Sequence, residues 1–224
     1  MRSKAITSAR RGGAVDPPRG PGECRSVLPE ADRDRLADAV RFALDAHADQ
    51  KRKGTGIPYA SHLLQVAGLV FEAGGDVEQV MAALLHDSIE DCEDVDAARI
   101  HARFGEGVAS IVVVCTDVSG DTSRDESEWG VRKTRHLESL ASAPTRARVV
   151  AACDKLHNLR SLVGDLRAEG VATLERFTPA PARTRWYYES AHRVLRDALP
   201  GALALEFDAL IDALREFVPH AEAP

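Results

Sequence analysis

The sequence predicts an all-α protein folded as a single domain. Three observations carry that reading. Apolar residues recur at three- and four-residue spacing through most of the chain. Alanine, leucine, arginine, glutamate and aspartate dominate, and aromatics are only 5%, a composition that favours helix. The conspicuous β-branched run, Val112-Val113-Val114 within 107–118, has no partner strand elsewhere and therefore reads as a buried helix despite its strand propensity. With 224 residues, 44% of them hydrophobic, the chain can fill one sizeable core.

Residues 1–27 are rich in Gly, Pro, Arg and Ser and lack apolar periodicity, so they read as a disordered tail. No apolar stretch follows Arg10-Arg11, so this segment is not a signal peptide. The domain is expected over 28–218. Leu36, Val40, Leu44 and His47 predict a first amphipathic helix over 30–49. Lys51 to Tyr59 carries two glycines and a proline and reads as a basic loop. A second helix follows over 59–73, ended by Gly74-Gly75. Asp76 is the expected N-cap of a third helix that runs on through 86–91. A short helix over 96–104 stops at Gly105, and the apolar helix over 107–118 comes next. Residues 119–130 read as a surface loop and 131–142 as a charged helix. Pro144 is placed at the first position of a long helix to about 167. A helical turn over 171–177, a helix over 183–199 broken by Pro200-Gly201, and a last helix over 202–217 complete the chain.

Net charge is −6, so no global basic field argues for nucleic acid. No apolar run reaches the ~18 residues a membrane span needs. Four cysteines show no CxxC spacing, which points to a cytoplasmic protein without structural disulfides. The sequence leaves a homo-oligomer open.

Chemistry concentrates in His86-Asp87-Ser88-Ile89-Glu90-Asp91. On one continuous helix His86 would lie over Glu90 and Asp87 over Asp91. Three carboxylates this close repel one another, and a divalent cation would offset that cost. Imidazole with carboxylate suits a transition ion better than calcium. The plain alternative is a solvated acidic helix end. Two more helices offer a polar residue from an apolar stretch: His62 on the second and Asp154 on the long one. An ionised carboxylate is costly to bury unpaired. Taken singly, His62 reads as a hydrogen-bonded core histidine and Asp154 as half of a salt bridge. Together the residues supply two imidazoles and two carboxylates.

The order His62, His86-Asp87, Asp154 resembles the signature of the HD-domain metal-dependent phosphohydrolases, and so implies an HD-domain helical bundle. The finer likeness is to the hydrolase domain of the RelA/SpoT family and its stand-alone small alarmone hydrolases. Residues 52–62 (RKGTGIPYASH) are similar to that family's basic loop and first histidine. Residues 86–91 resemble its HDxxED box, and 154–161 (DKLHNLRS) its DRLHNxRT segment. The resemblance implies Mn²⁺, or another divalent transition ion, held by His62, His86, Asp87 and Asp154. It implies Glu90 and Asp91 as the pair that activates water. It implies Arg52, Lys53, Asn158 and Ser161 on the substrate side. The implied activity is release of the 3′-pyrophosphate of (p)ppGpp, with a small-molecule nucleotide as partner.

Leu63 stands where the family commonly has proline, Lys155 where it has arginine, and the basic loop is longer by a residue. None removes an implied metal ligand, and all touch the substrate side. Two other readings therefore stay open: a phosphohydrolase of another nucleotide, such as NADPH or a nucleoside phosphate, and a non-catalytic nucleotide- or metal-binding sensor.

Overall fold

The structure is a computed structural model that describes residues 28–117, 129–176, 180–220 and 223. The tail expected over 1–27 and most of the loop expected over 119–130 lie outside the described residues. Among these, no strand forms; the one pairing is an isolated antiparallel bridge between Lys51 and Pro58.

The helices are α1 (Glu30–Ala46), α2 (Ala60–Glu72), α3 (Val77–Leu85), α4 (Ser88–Asp91), α5 (Ala97–Phe104), α6 (Glu106–Cys115), α7 (Trp129–Ser142), α8 (Thr145–Glu169), α9 (Pro181–Leu195) and α10 (Gly201–Phe217). Short 3₁₀ segments follow α8, over Val171–Arg176, and α9, over Arg196–Ala198.

The long helix α8 is the axis of the fold, packing against α2, α3, α6, α9 and α10. One continuous core joins these helices. Helix α3 is apolar on every side, which suits only a central position, and Gln79 to Leu85 are all buried. Its start is fixed by a capping box: Asp76 accepts from the Gln79 backbone N–H at 3.0 Å, and the Gln79 side chain accepts from the Asp76 N–H at 3.1 Å. The buried Gln79 amide also donates to the Arg146 carbonyl, so it carries no unmet donor cost.

The turn from α2 to α3 is a Schellman motif. Gly74 takes φ +80°, its N–H reaches the Phe71 carbonyl, and the Gly75 N–H reaches the Val70 carbonyl. A Cβ on Gly75 would lie 2.5 Å from the Val70 side chain, so glycine permits the close approach. The β-branched run of α6 is helical, with Val108, Ile111 and Val112 buried at helical spacing. Tertiary burial outweighs strand propensity there.

Four expectations need correction. The third helix does not run through 86–91: it ends at Leu85, His86 and Asp87 form a turn, and α4 restarts at Ser88. In α1, Leu36 and Val40 pack against the core and His47 just beyond is buried, as expected, but Leu44 is exposed, and Ala39, Phe42 and Ala43 form the deepest face instead. Pro144 is the N-cap of α8 rather than its first residue. Trp129 and Gly130 belong to α7, not to the preceding loop.

Candidate active site

Each of the three central helices delivers one end of the site. His62 comes from the first turn of α2, His86 and Asp87 from the turn after α3, and Asp154 from the middle of α8. His62, His86 and Asp154 are 0%, 2% and 4% exposed. Their ligating atoms converge. His62 Nε2 lies 3.2 Å from Asp154 Oδ1 and 3.3 Å from His86 Nε2. His86 Nε2 lies 3.4 Å from Asp154 Oδ1. Asp87 Oδ2 closes the group, 3.0 Å from His86 Nε2 and 3.6 Å from His62 Nε2. Adjacent donors around an octahedral ion with bonds of about 2.1 Å are separated by about 3 Å, so the spacing fits a single ion.

Hydrogen bonding sets the faces of both rings. His86 Nδ1–H donates to the Ala83 carbonyl at 2.8 Å, which turns the Nε2 lone pair into the cluster. His62 Nδ1 meets His157 Nδ1 at 2.7 Å. Burial, then the neighbouring His62 and Arg52, lower the His157 pKa to about 4, so His157 is neutral and can accept. With His62 as the donor through Nδ1, its Nε2 lone pair faces the cluster. Two such nitrogens facing two carboxylates form the donor set of a divalent transition ion.

Without an ion the protein balances the site itself. Burial works against charge on His86, yet Asp87 and then Asp154 outweigh it and lift its pKa well above the usual imidazole range. Burial opposes ionisation of Asp154, but Lys155 and then His86 hold it well below the usual carboxylate range. Lys155 Nζ donates to Asp154 Oδ2 at 2.6 Å, and Asn158 donates to Oδ1 at 2.6 Å. The Tyr59 hydroxyl donates to Asp87 Oδ2.

Beside the cluster lies a cleft of about 590 Å³ whose lining includes Arg52, Lys53, Tyr59, His157, Asn158, Ser161 and Tyr188. All four residues expected on the substrate side therefore border one hollow. Arg52 reaches across it and donates to Asn158 Oδ1 at 2.9 Å. Ser161 turns its hydroxyl back to the His157 carbonyl at 3.1 Å. A roomier hollow of about 700 Å³, lined by Leu28, Arg35, Phe71 and Val77 among others, includes none of the expected site residues.

The two acidic neighbours, both on α4, take different partners. Glu90 Oε2 faces the Asp117 N–H at 3.4 Å. It opens to solvent on one side, yet desolvation by the surrounding walls, opposed by Lys133, raises its pKa. Asp91 accepts from Gln50 Nε2 at 2.7 Å. Tyr59, Lys155, His157 and Gln50 were not expected in the site. Their sequence signals are slight: Tyr59 ends the basic loop, Gln50 precedes it, His157 lies three residues after Asp154 on one helix, and Lys155 is only its chain neighbour.

The HD domain family model matches residues 39–179. The zebrafish (Danio rerio) guanosine-3′,5′-bis(diphosphate) 3′-pyrophosphohydrolase MESH1 is 34% identical over 167 residues, covering 72% of this chain and 82% of that protein. A probable guanosine-3′,5′-bis(diphosphate) 3′-pyrophosphohydrolase of Synechocystis is 39% identical over 127 residues, 57% of this chain. The matched part spans only 16% of that relative's length. Among solved structures, a metazoan ortholog of SpoT that hydrolyses ppGpp superposes with a TM-score of 0.62 at 28% identity, covering 84% of this chain and 97% of that one.

Proposed function

This chain belongs to the HD domain family, and from that premise we propose that it is a metal-dependent phosphohydrolase that releases pyrophosphate from the 3′ position of (p)ppGpp. The observation that carries the reading is the buried group His62, His86 and Asp154, closed by the half-buried Asp87 and set beside a cleft bordered by Arg52 and Lys53. The names of the relatives point to the same substrate.

In this reading His62, His86, Asp87 and Asp154 would hold a Mn²⁺ ion, which would supply Lewis acidity at the phosphoryl group. Glu90 and Asp91 hold the attacking water and take its proton. The water oxygen bonds to the phosphorus attached to the 3′-oxygen as that P–O bond breaks; the 3′-oxygen leaves with the nucleotide and becomes its 3′-hydroxyl by taking the proton that the carboxylate pair received, and pyrophosphate is released. Arg52 and Lys53 offset phosphate charge; the guanidinium can do so bidentately. Asn158 and Ser161 line the wall along which the nucleoside lies. Residues 28–218 act as one domain. The free thiols Cys92, Cys115 and Cys153 suit a reducing cytoplasm, and no helix among the described residues is long and apolar enough to cross a membrane.

The test is ppGpp turnover by purified protein with Mn²⁺, run beside EDTA and Asp87→Ala controls. Pyrophosphate release that disappears in both controls is the expected result. Stoichiometric metal with intact ppGpp would overturn the substrate.

A further inference from the structure

Behind Asp91 stands a short file of polar side chains from the end of α1. Gln50 bridges it: its Nε2 donates to Asp91 Oδ2 at 2.7 Å, and its Oε1 accepts from His47 Nδ1. The direction of this file is fixed. A carboxylate only accepts, so the amide must turn its NH₂ toward Asp91 and its carbonyl toward His47. His47 must then carry its proton on Nδ1, leaving Nε2 to face Ser88 Oγ at 3.3 Å. His47 is 3% exposed, and its ring is stacked on Tyr59 with centroids 5.2 Å apart.

The backbone ties the same residues to the basic loop. The Tyr59 N–H donates to the Gln50 carbonyl at 2.9 Å, and Arg52 N–H donates to the Ile57 carbonyl at 2.9 Å. The loop that carries Arg52 and Lys53 is thus closed at its base by two residues, Gln50 and Tyr59. One holds Asp91 and the other holds Asp87.

We propose that Gln50, oriented by His47, is a positioning residue for the reaction: its amide fixes the Asp91 carboxylate in the orientation that receives the water's proton. The inference rests on the role of Asp91 given above. It does not require Gln50 to touch the substrate, and the effect therefore falls on kcat rather than KM.

The experiment measures ppGpp hydrolysis with Mn²⁺ by the full chain and by Gln50→Leu, Gln50→Glu, His47→Asn and Asp91→Asn, with bound metal quantified in each. Outer partners of a site typically change activity about 10–100-fold. Gln50→Leu should lower kcat within that range, with KM and metal content within about twofold of the parent. Gln50→Glu keeps the shape and loses the donor, so it should fall at least as far. It also sets a second carboxylate beside Asp91, so the loss of the donor alone is read from Gln50→Leu, by itself and joined to Asp91→Asn. His47→Asn keeps a donor near the Nδ1 position and should lose less than Gln50→Leu. Joining Gln50→Leu to Asp91→Asn should add little to Asp91→Asn alone, because the two act through one group. A Gln50→Glu protein with parental kcat, or a loss confined to KM, would overturn the inference while leaving Asp91 in place. An Asp91→Asn protein with full kcat, or a parent inactive on ppGpp, would overturn the inference together with the reading beneath it.

Discussion

His62 and Asp154 sit on α2 and α8 and His86 in the turn that ends α3, among side chains that fill the core, and they are 0–4% exposed. Arg52 and Lys53 sit on a loop closed by one isolated bridge and a few backbone hydrogen bonds. Arg52 and Lys53 border the cleft and the ligand cluster lies beside it, and the two sets are held by different means. The ligand cluster cannot move without moving α2, α3 or α8. The loop can shift at the cost of a few hydrogen bonds, each worth about 1 kcal/mol net. Rigid placement suits groups that must surround an ion to within tenths of an ångström, and an adjustable rim suits a large charged ligand that must enter and leave. The variants that follow test this contrast.

The largest effect should come from the rigid half. Asp154→Asn removes a charge from the ion site and also leaves Lys155 buried beside a neutral partner. Loss of one member of a buried pair costs about 3–5 kcal/mol. We expect loss of stoichiometric metal, activity below detection and a clearly lower Tm, read by metal analysis, pyrophosphate release and calorimetry. A stable, metal-loaded Asp154→Asn protein would show that the cluster is not the ion site.

Next in size are the acidic neighbours on α4. Glu90→Gln should cut kcat by roughly 10²–10⁴-fold, the range for a lost general base, with metal content and Tm close to the parent. The raised pKa of Glu90 adds a sign. A base must be ionised, so activity should fall as pH drops, beginning above the ordinary carboxylate range. A kcat profile flat down to pH 4 in the parent would exclude Glu90 as the base.

A smaller effect belongs to the adjustable rim. Arg52→Ala loses a charged hydrogen-bond donor, worth about 1.5–3 kcal/mol, or a rise of about 10–100-fold in KM for ppGpp. Its Tm should stay near the parent value, because the loop contributes little to the core. A Tm loss as large as that of Asp154→Asn would erase the contrast between the two regions.

The contrast also decides what could be read from the sequence. The helices of the core were legible because burial repeats at helical spacing, and His62, His86 and Asp154 stood out as polar residues in apolar runs. Asp76 and Gly74-Gly75 announced their caps through local chemistry alone. The break at His86-Asp87 was not legible. A continuous acidic helix and a turn followed by a short restart have the same composition; the choice is made by the His86 bond to Ala83 and by the packing of α3. Tyr59, Gln50, His47 and His157 act through partners 28 to 95 residues away, as in Tyr59 with Asp87 and His62 with His157. No local pattern encodes such pairings. The Trp186-Tyr187-Tyr188 run divides in the same way: Tyr187 packs edge-on to Trp129, while Tyr188 lines the cleft.

The smallest predicted effect concerns the buried frame itself. Burial, followed by Lys155, lowers the His136 pKa to about 4; burial, followed by His62, does the same for His157. Each histidine titrates near 6.5 when unfolded. Between pH 6.5 and 4 the unfolded chain therefore binds protons that the folded protein does not, and stability falls as pH falls, by at most about 1.4 kcal/mol per pH unit for each group. Glu90, with its raised pKa, opposes this trend in part, because the folded protein takes up its proton before the unfolded chain does; His86 and Asp154 act mainly outside the window. His86, with its raised pKa, is protonated in both states there, and its stabilising contribution is lost only as pH rises through its folded value. Asp154, with its lowered pKa, keeps its contribution until pH falls through a much lower value. Denaturant unfolding of the EDTA-treated protein across pH 6.5 to 4 should show this loss. His136→Leu should remove one of the two contributions and flatten the slope, because His136 lies off the ion cluster on α7. If the slope of His136→Leu equals that of the parent, His136 is already charged in the folded protein. The walls around Lys133 and Lys155 would then be as yielding as the loop.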